Sequence, residues 1–323
     1  MRMFADLKSV CPGLAVLCDD AVESIATNTQ EAMEKLSLFA ESLIRAILAF
    51  EGLEEPFDSS QITRLNLLSN RLLLPPNLLP FFHVLNIVKT AENLPSAAIQ
   101  MRASLFLKLS ARLATWFAKS YGPHLPASAT LAKASEDVLQ AIRASSATNA
   151  VRRSARKTAL RRANLMQLSE DETRVIIDHQ LQAAGWQVDT WALRYSLGVR
   201  PEKNVNKAIA EWPTNSGPAD YALFSGLDFI GVVEAKKMGK DVLSDLAQSK
   251  RYARDVALDG EARFVAGPWD DYRVPFLFAT NARPYLEQIK EKSGIWFLDA
   301  CSSTNHPRPL QGWFSAEELA ALL

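Results

Sequence analysis

"GLDFIGVVEAKKMG", Gly226 to Gly239, decides how the C-terminal half of this chain is read. The apolar, β-branched run from Leu227 to Val233, bounded by glycines, has the pattern of a short interior strand. It ends by placing Glu234 and Lys236 where apolar side chains belong. Side chains alternate along a strand, so these two share one face and Ala235 turns to the other. Such a pair is either an ion pair that only satisfies itself or a place where chemistry is done. Burying charge is costly, so the neighbours decide between the two.

Asp220 stands at the start of a preceding strand around Tyr221 to Phe224, and a turn at Ser225 and Gly226 joins it to the Leu227–Lys236 strand. In such a hairpin Asp220, Glu234 and Lys236 fall into one small volume. Two carboxylates that close repel each other unless a cation lies between them, and hard oxygen ligands suit Mg²⁺. The lysine is then left to orient a water or to offset developing charge. Taken alone, Asp220 also reads as a turn cap.

The rest of the chain frames this site. Its 323 residues suffice for two domains. With 36 basic and 36 acidic residues the formal charge is zero, so attraction to nucleic acid cannot be argued from net charge. Cys11, Cys18 and Cys301 form neither a CxxC pair nor a His/Cys cluster, which suggests no zinc site or disulfide framework and fits a reducing compartment. No apolar run reaches the roughly 18 residues of a membrane span. The expectation is a cytoplasmic, non-membrane protein.

Apolar positions at Leu36, Phe39, Ala40, Leu43, Ile44, Ile47 and Leu48 recur with helical spacing, as do those of Ile62–Leu74 and Ile99–Tyr121. Residues 1–125 therefore read as all-α. Residues 126–165 read as a basic linker or helix, because "VRRSARKTALRRANL" carries Arg152, Arg153, Arg156, Lys157, Arg161 and Arg162 without an acid. That run is either a solvated helix or an element that contacts DNA phosphates. From residue 166 the pattern turns mixed. A helix opens at the N-cap Ser169 and stops at Gly185, with strands expected near Trp186–Tyr195 and at the hairpin. A helix is expected from Asp241 to about Leu258, and "VPFLFATN" and "GIWFLDA" read as two more strands with a helix between them. Overall the sequence predicts an α+β chain: a helical domain, then an α/β domain with a central mixed sheet flanked by helices.

In order along the chain, "EDETRVIIDHQLQAAGW", "GPADYALF", "VVEAKK", "QSKRY" and "PFLFATN" resemble the PD-(D/E)xK nuclease core, in the version found at the N-terminus of the R (restriction) subunit of type I restriction-modification enzymes. The resemblance spans about residues 165–317. It implies a Mg²⁺-dependent endonuclease, with Mn²⁺ able to substitute, that hydrolyses phosphodiesters of double-stranded DNA. Asp220, Glu234 and the backbone carbonyl of Ala235 would hold the metal. Glu172 would assist, through a water or a second metal, although as the residue three after Ser169 it also completes a capping box. Lys236 would position the attacking water. Gln248 and Tyr252, an i, i+4 pair, would brace the lysine or the DNA backbone.

The helical part more loosely resembles an accessory domain placed before this nuclease. It keeps Asn93 but has Ile99 where a histidine is expected. The resemblance also implies a translocase motor and methylase and specificity subunits as partners, with "RPLQGWFSAEELAALL" as a connector. This sequence has no ATP site: its Gly239-Lys240 has Glu234 and Asp241 where a P-loop needs glycine and Ser or Thr. Two other expectations stay open, a stand-alone restriction or defence nuclease acting without ATP, and a catalytically idle DNA-binding or assembly module.

Overall fold

The computed structural model describes residues 3–57, 60–86, 96–237, 242, 246–282 and 294–323. Asn93, Gly239, Lys240, the expected helix start at Asp241 and the helix expected between the last two long strands lie outside them. Two compact units emerge, Met1–Met166 and Gln167–Leu323. No described helix is long and apolar enough to cross a membrane.

The first unit is helical: α1 (Ala5–Val10), α2 (Pro12–Ser24), α3 (Thr29–Glu51), α4 (Gln61–Asn70), α5 (Leu79–Leu85), α6 (Ser96–Ser120), α7 (Ala127–Leu131), α8 (Ser135–Ala144) and α9 (Asn149–Asn164). The long pair α3 and α6 bury the faces their spacing announced, among them Phe39, Leu43 and Ile47 on one and Leu109, Leu113 and Phe117 on the other. At one end Phe50, Trp116 and Phe117 surround Tyr121 with ring centroids at 5.3, 5.8 and 5.2 Å. The helix expected to reach Leu74 ends at Asn70 instead. Leu72 takes a left-handed conformation (φ 54°), and the amides of Leu72 and Leu73 close on Ser69 and Leu68 before Pro75 is reached.

The second unit holds α10 (Glu170–Ala183), β1 (Gln187–Val188), β2 (Asn206–Trp212), β3 (Ala219–Ser225), β4 (Asp228–Ala235), α11 (Leu246–Asp255), β5 (Arg263–Phe264), β6 (Phe276–Thr280), β7 (Ile295–Asp299), β8 (Arg308–Leu310) and α12 (Ala316–Ala320). The strands form one mixed sheet in the order β1-β2-β3-β4-β6-β7-β8, with β5 pairing on β4. The antiparallel run β2-β3-β4 turns through Gly226, whose φ of 59° suits the first residue of a tight hairpin loop. β4 then runs parallel to β6, an arrangement that requires a crossover, and α11 lies within that connection. The fold class is α+β, as the sequence implied.

Gly231 shows how closely β4 and β6 approach: a Cβ there would lie 2.7 Å from the carbonyl oxygen of Phe276. On one face of the sheet, Trp212, Phe224, Phe229, Val232 and Leu277 form a core closed by Leu246, Tyr252 and Ala253 of α11 and by Val256 just after it. Tyr221, of opposite parity to Ala222, instead bonds Asp178 of α10, so α10 lies against the other face.

Two strand expectations change. The strand foreseen over Trp186–Tyr195 shrinks to Gln187–Val188, because Asp189 Oδ1 accepts the amides of Trp191 and Ala192 and turns the chain. β2 was not foreseen. Its sequence, NKAIAEW, is short on β-branched residues, yet it packs as an interior strand.

Candidate active site

The register of the β3–β4 hairpin places the acids. Tyr221 pairs with Val233, so the next rung sets Asp220 beside Glu234 at the end of the sheet. Each is buried, at 8% and 1% exposure, and each is held by a different cation. Asp220 Oδ1 accepts from the Arg174 guanidinium of α10, and Oδ2 accepts from the Ala235 amide at 2.6 Å. Glu234 Oε1 pairs with the Lys236 ammonium. Its other oxygen, Oε2, is buried, and no donor among the described residues bonds to it.

Lys236 leads on to α11. Its Nζ donates to Gln248 Oε1 at 3.2 Å, and Gln248 Nε2 donates to the Tyr252 hydroxyl. The i, i+4 spacing of Gln248 and Tyr252 thus becomes a relay on the helix face turned toward the lysine. Lys236 is further fixed by its own amide, which donates to the Thr280 carbonyl at 2.8 Å.

Burial and the neighbouring Asp220 charge push the Glu234 carboxyl up to about 8, against the pull of Lys236. Burial also raises Asp220, opposed by Arg174 and the Ala235 amide. Burial raises the Tyr252 phenol, so it stays neutral. Two buried carboxyls side by side cannot both ionise cheaply, so one of the pair tends to keep a proton. A donor set of hard oxygens, one of them buried and unpartnered, fits a small divalent cation.

Glu172 is placed differently. It is buried, but its Oε2 accepts the Ser169 amide at 2.7 Å while the Ser169 hydroxyl accepts the Glu172 amide, a complete capping box. Among the described residues no three His, Cys, Asp or Glu side chains gather as a metal-ligand group, so Glu172 does not join Asp220 and Glu234 in one. The reason is local: the third residue of a capped helix turns its carboxylate back onto the N-cap.

The expected cluster omitted Arg174. The first turns of a helix, at the positive end of the dipole, disfavour a cation, and its presence there was a signal that a partner lay elsewhere. Glu170, four residues before it, offered a sufficient local explanation and hid that signal. A second group also escaped notice. Asp178 is buried and accepts from the Thr190 amide at 2.7 Å and from the Thr190 and Tyr221 hydroxyls, both at 2.8 Å.

The basic segment divides. Arg156 forks onto Glu51 with contacts of 2.7–3.1 Å, and Arg152 Nε donates to the Phe50 carbonyl at 2.9 Å, so both serve the C-terminal end of α3. Ala155, Ala159 and Ala163 form the buried face of α9. Arg153, Lys157, Arg161 and Arg162 are exposed.

Comparison with known proteins finds a family match that lies within the second unit. Residues 187–323 match the family model described as the type I restriction enzyme EcoKI endonuclease subunit second domain. The chain is 42% identical over 186 residues to the type I restriction enzyme EcoKI endonuclease subunit of Escherichia coli (strain K12), a match covering 49% of this chain and 16% of that protein. The chain thus spans well under two thirds of that relative. No solved structure matches it significantly. Residues 187–323 are thus similar to the second domain of a type I restriction enzyme endonuclease subunit.

Proposed function

We propose that the second unit is the nuclease module of such a subunit, a metal-dependent PD-(D/E)xK endonuclease that hydrolyses phosphodiesters in double-stranded DNA. The observation that carries this reading is Glu234 Oε2, a buried carboxylate oxygen without a donor among the described residues, next to Asp220 and with a lysine on its twin oxygen. Two acids buried side by side repel each other, and a cation between them relieves that repulsion.

Asp220 and Glu234, with the Ala235 carbonyl, would hold the cation, Mg²⁺ or Mn²⁺. Bound there, it supplies acidification of a water and neutralisation of charge on the scissile phosphate. Lys236 would position the attacking water and offset the charge that builds on the phosphate oxygens. Gln248 fixes the ammonium through its amide oxygen, and the Tyr252 hydroxyl, kept neutral by burial, fixes the Gln248 amide in turn. Glu172 stabilises the start of α10 rather than binding the cation directly. The exposed Arg153, Lys157, Arg161 and Arg162 are proposed phosphate contacts, with no acid on their helix to oppose them. A translocase and methylase and specificity subunits are the proposed partners in a cytoplasmic restriction complex.

The test is nicking of supercoiled plasmid with Mg²⁺, with Mn²⁺ and with EDTA, beside a Lys236→Ala variant of unchanged fold. Cutting that needs metal and vanishes with the lysine is expected. Mn²⁺ binding without cutting, even with the partner subunits present, would turn the reading to an idle assembly module.

A further inference from the structure

Arg174 comes from α10, outside the strands that carry the acids, yet it occupies Asp220 Oδ1. With Oδ2 taken by the Ala235 amide, a cation held by Asp220 competes directly with the guanidinium. The fork is not saturated where it sits. Arg174 Nε is buried and meets no acceptor among the described residues, whereas a bidentate pair would use it. Two other carboxylates stand close by, Glu211 Oε1 at 3.6 Å from one terminal nitrogen and Glu170 Oε1 at 3.6 Å from the other. Both lie beyond hydrogen-bond range, and a shift of roughly 0.7 Å would close either contact. Glu211 is already held in place by Arg194 at 2.9 Å, and Arg194 is anchored on the Thr190 carbonyl.

We infer that Arg174 is a latch on the candidate metal site: its guanidinium holds Asp220 while no divalent cation is present and moves onto Glu211 and Glu170 when Asp220 takes one up. The inference rests on the nuclease reading of Asp220 and Glu234, and it makes Arg174 a positioning residue that sets the metal affinity of the site. Asp220 is never left as an uncompensated buried charge, and the displaced guanidinium has acidic seats waiting.

The test is calorimetric titration of Mn²⁺ into the full chain, Arg174→Gln and Asp220→Asn, each checked for native near-ultraviolet circular dichroism. Arg174→Gln is expected to bind Mn²⁺ about tenfold more tightly or better, and Asp220→Asn to lose binding. Unchanged or weaker binding by Arg174→Gln, with binding still lost in Asp220→Asn, overturns the latch and spares the nuclease reading. No binding by any of the three overturns that reading and the latch with it. If Arg174→Gln does not fold, Arg174→Lys keeps the charge and takes its place, and tighter binding is again expected because the shorter side chain holds Asp220 less well. Glu211→Gln supplies the second arm. It is expected to weaken Mn²⁺ binding in the native background and to change nothing in Arg174→Gln. An equal loss in both backgrounds means that Glu211 acts only through its charge, and overturns the latch.

Discussion

Lys236 meets Glu234 while Arg174 meets Asp220, so on the proposed function substitutions at the two cations should separate chemistry from metal capture. Lys236→Ala is expected to lower plasmid nicking by at least about 10²-fold, the scale of a lost transition-state donor, while Mn²⁺ titration still shows binding. Glu234→Gln should lose both, because it removes the unpartnered oxygen the cation would use. Asp178 supports a different prediction. Burial first, then the Asp189 charge, lifts its carboxyl from 3.8 to about 7, despite three donors that favour the ionised form. The folded state therefore keeps a proton that the unfolded chain has released between those values. Stability from this group is complete below about pH 4 and falls as pH rises toward about 7, by at most about 1.4 kcal/mol per pH unit. Urea unfolding of Asp178→Asn at several pH values should show a flatter slope across that window than the native chain.

At the scale of elements, one substitution series can separate the structural role of α9 from its proposed phosphate contacts. Glu51 ends α3, where a carboxylate is opposed by the helix dipole, and its side chain is only 1% exposed. Arg156→Ala strands that buried charge and should cost about 3 kcal/mol in denaturant unfolding of the helical unit. Arg153→Ala with Lys157→Ala touches only exposed positions and should leave stability within about 0.5 kcal/mol. If both residues contact phosphates, the same pair should flatten the salt dependence of DNA binding by about 2 in log–log slope. An unchanged slope would remove α9 from the DNA-binding surface. In the sheet, Gly231→Ala forces a methyl against the Phe276 carbonyl where β4 and β6 meet. Because the opposing atom belongs to the backbone of an interior strand, a loss of about 2 kcal/mol is expected, and with it the alignment of Glu234.

For the whole molecule, two units with separate apolar cores, Met1–Met166 and Gln167–Leu323, should give two transitions in calorimetric unfolding. Mn²⁺ at about 100 times its dissociation constant should raise only the transition of the second unit, by about 2.7 kcal/mol of stability. A shift in the first transition alone would place the metal outside the Asp220–Glu234 site. The 16% of the EcoKI subunit that the match covers means that any coupling to a motor has to be tested in the assembled complex.

By itself, the sequence determined the helical half through its 3.6-residue periodicity, the α+β class through the change of pattern near residue 166, and the hairpin that pairs Asp220 with Glu234. These are local quantities: a period, a turn glycine, and a strand length that sets which ends meet. Alternation along β4 likewise placed Lys236 with Glu234, and i, i+4 spacing placed Tyr252 with Gln248. Only the tertiary structure decided what lay across elements. β2 became an interior strand through its neighbours rather than its propensity. Arg174 reached Asp220 from a helix 46 positions earlier in the chain, and Arg156 crossed 105 positions to Glu51. A buried charge takes whichever partner packing brings within reach, and sequence separation carries no record of that distance.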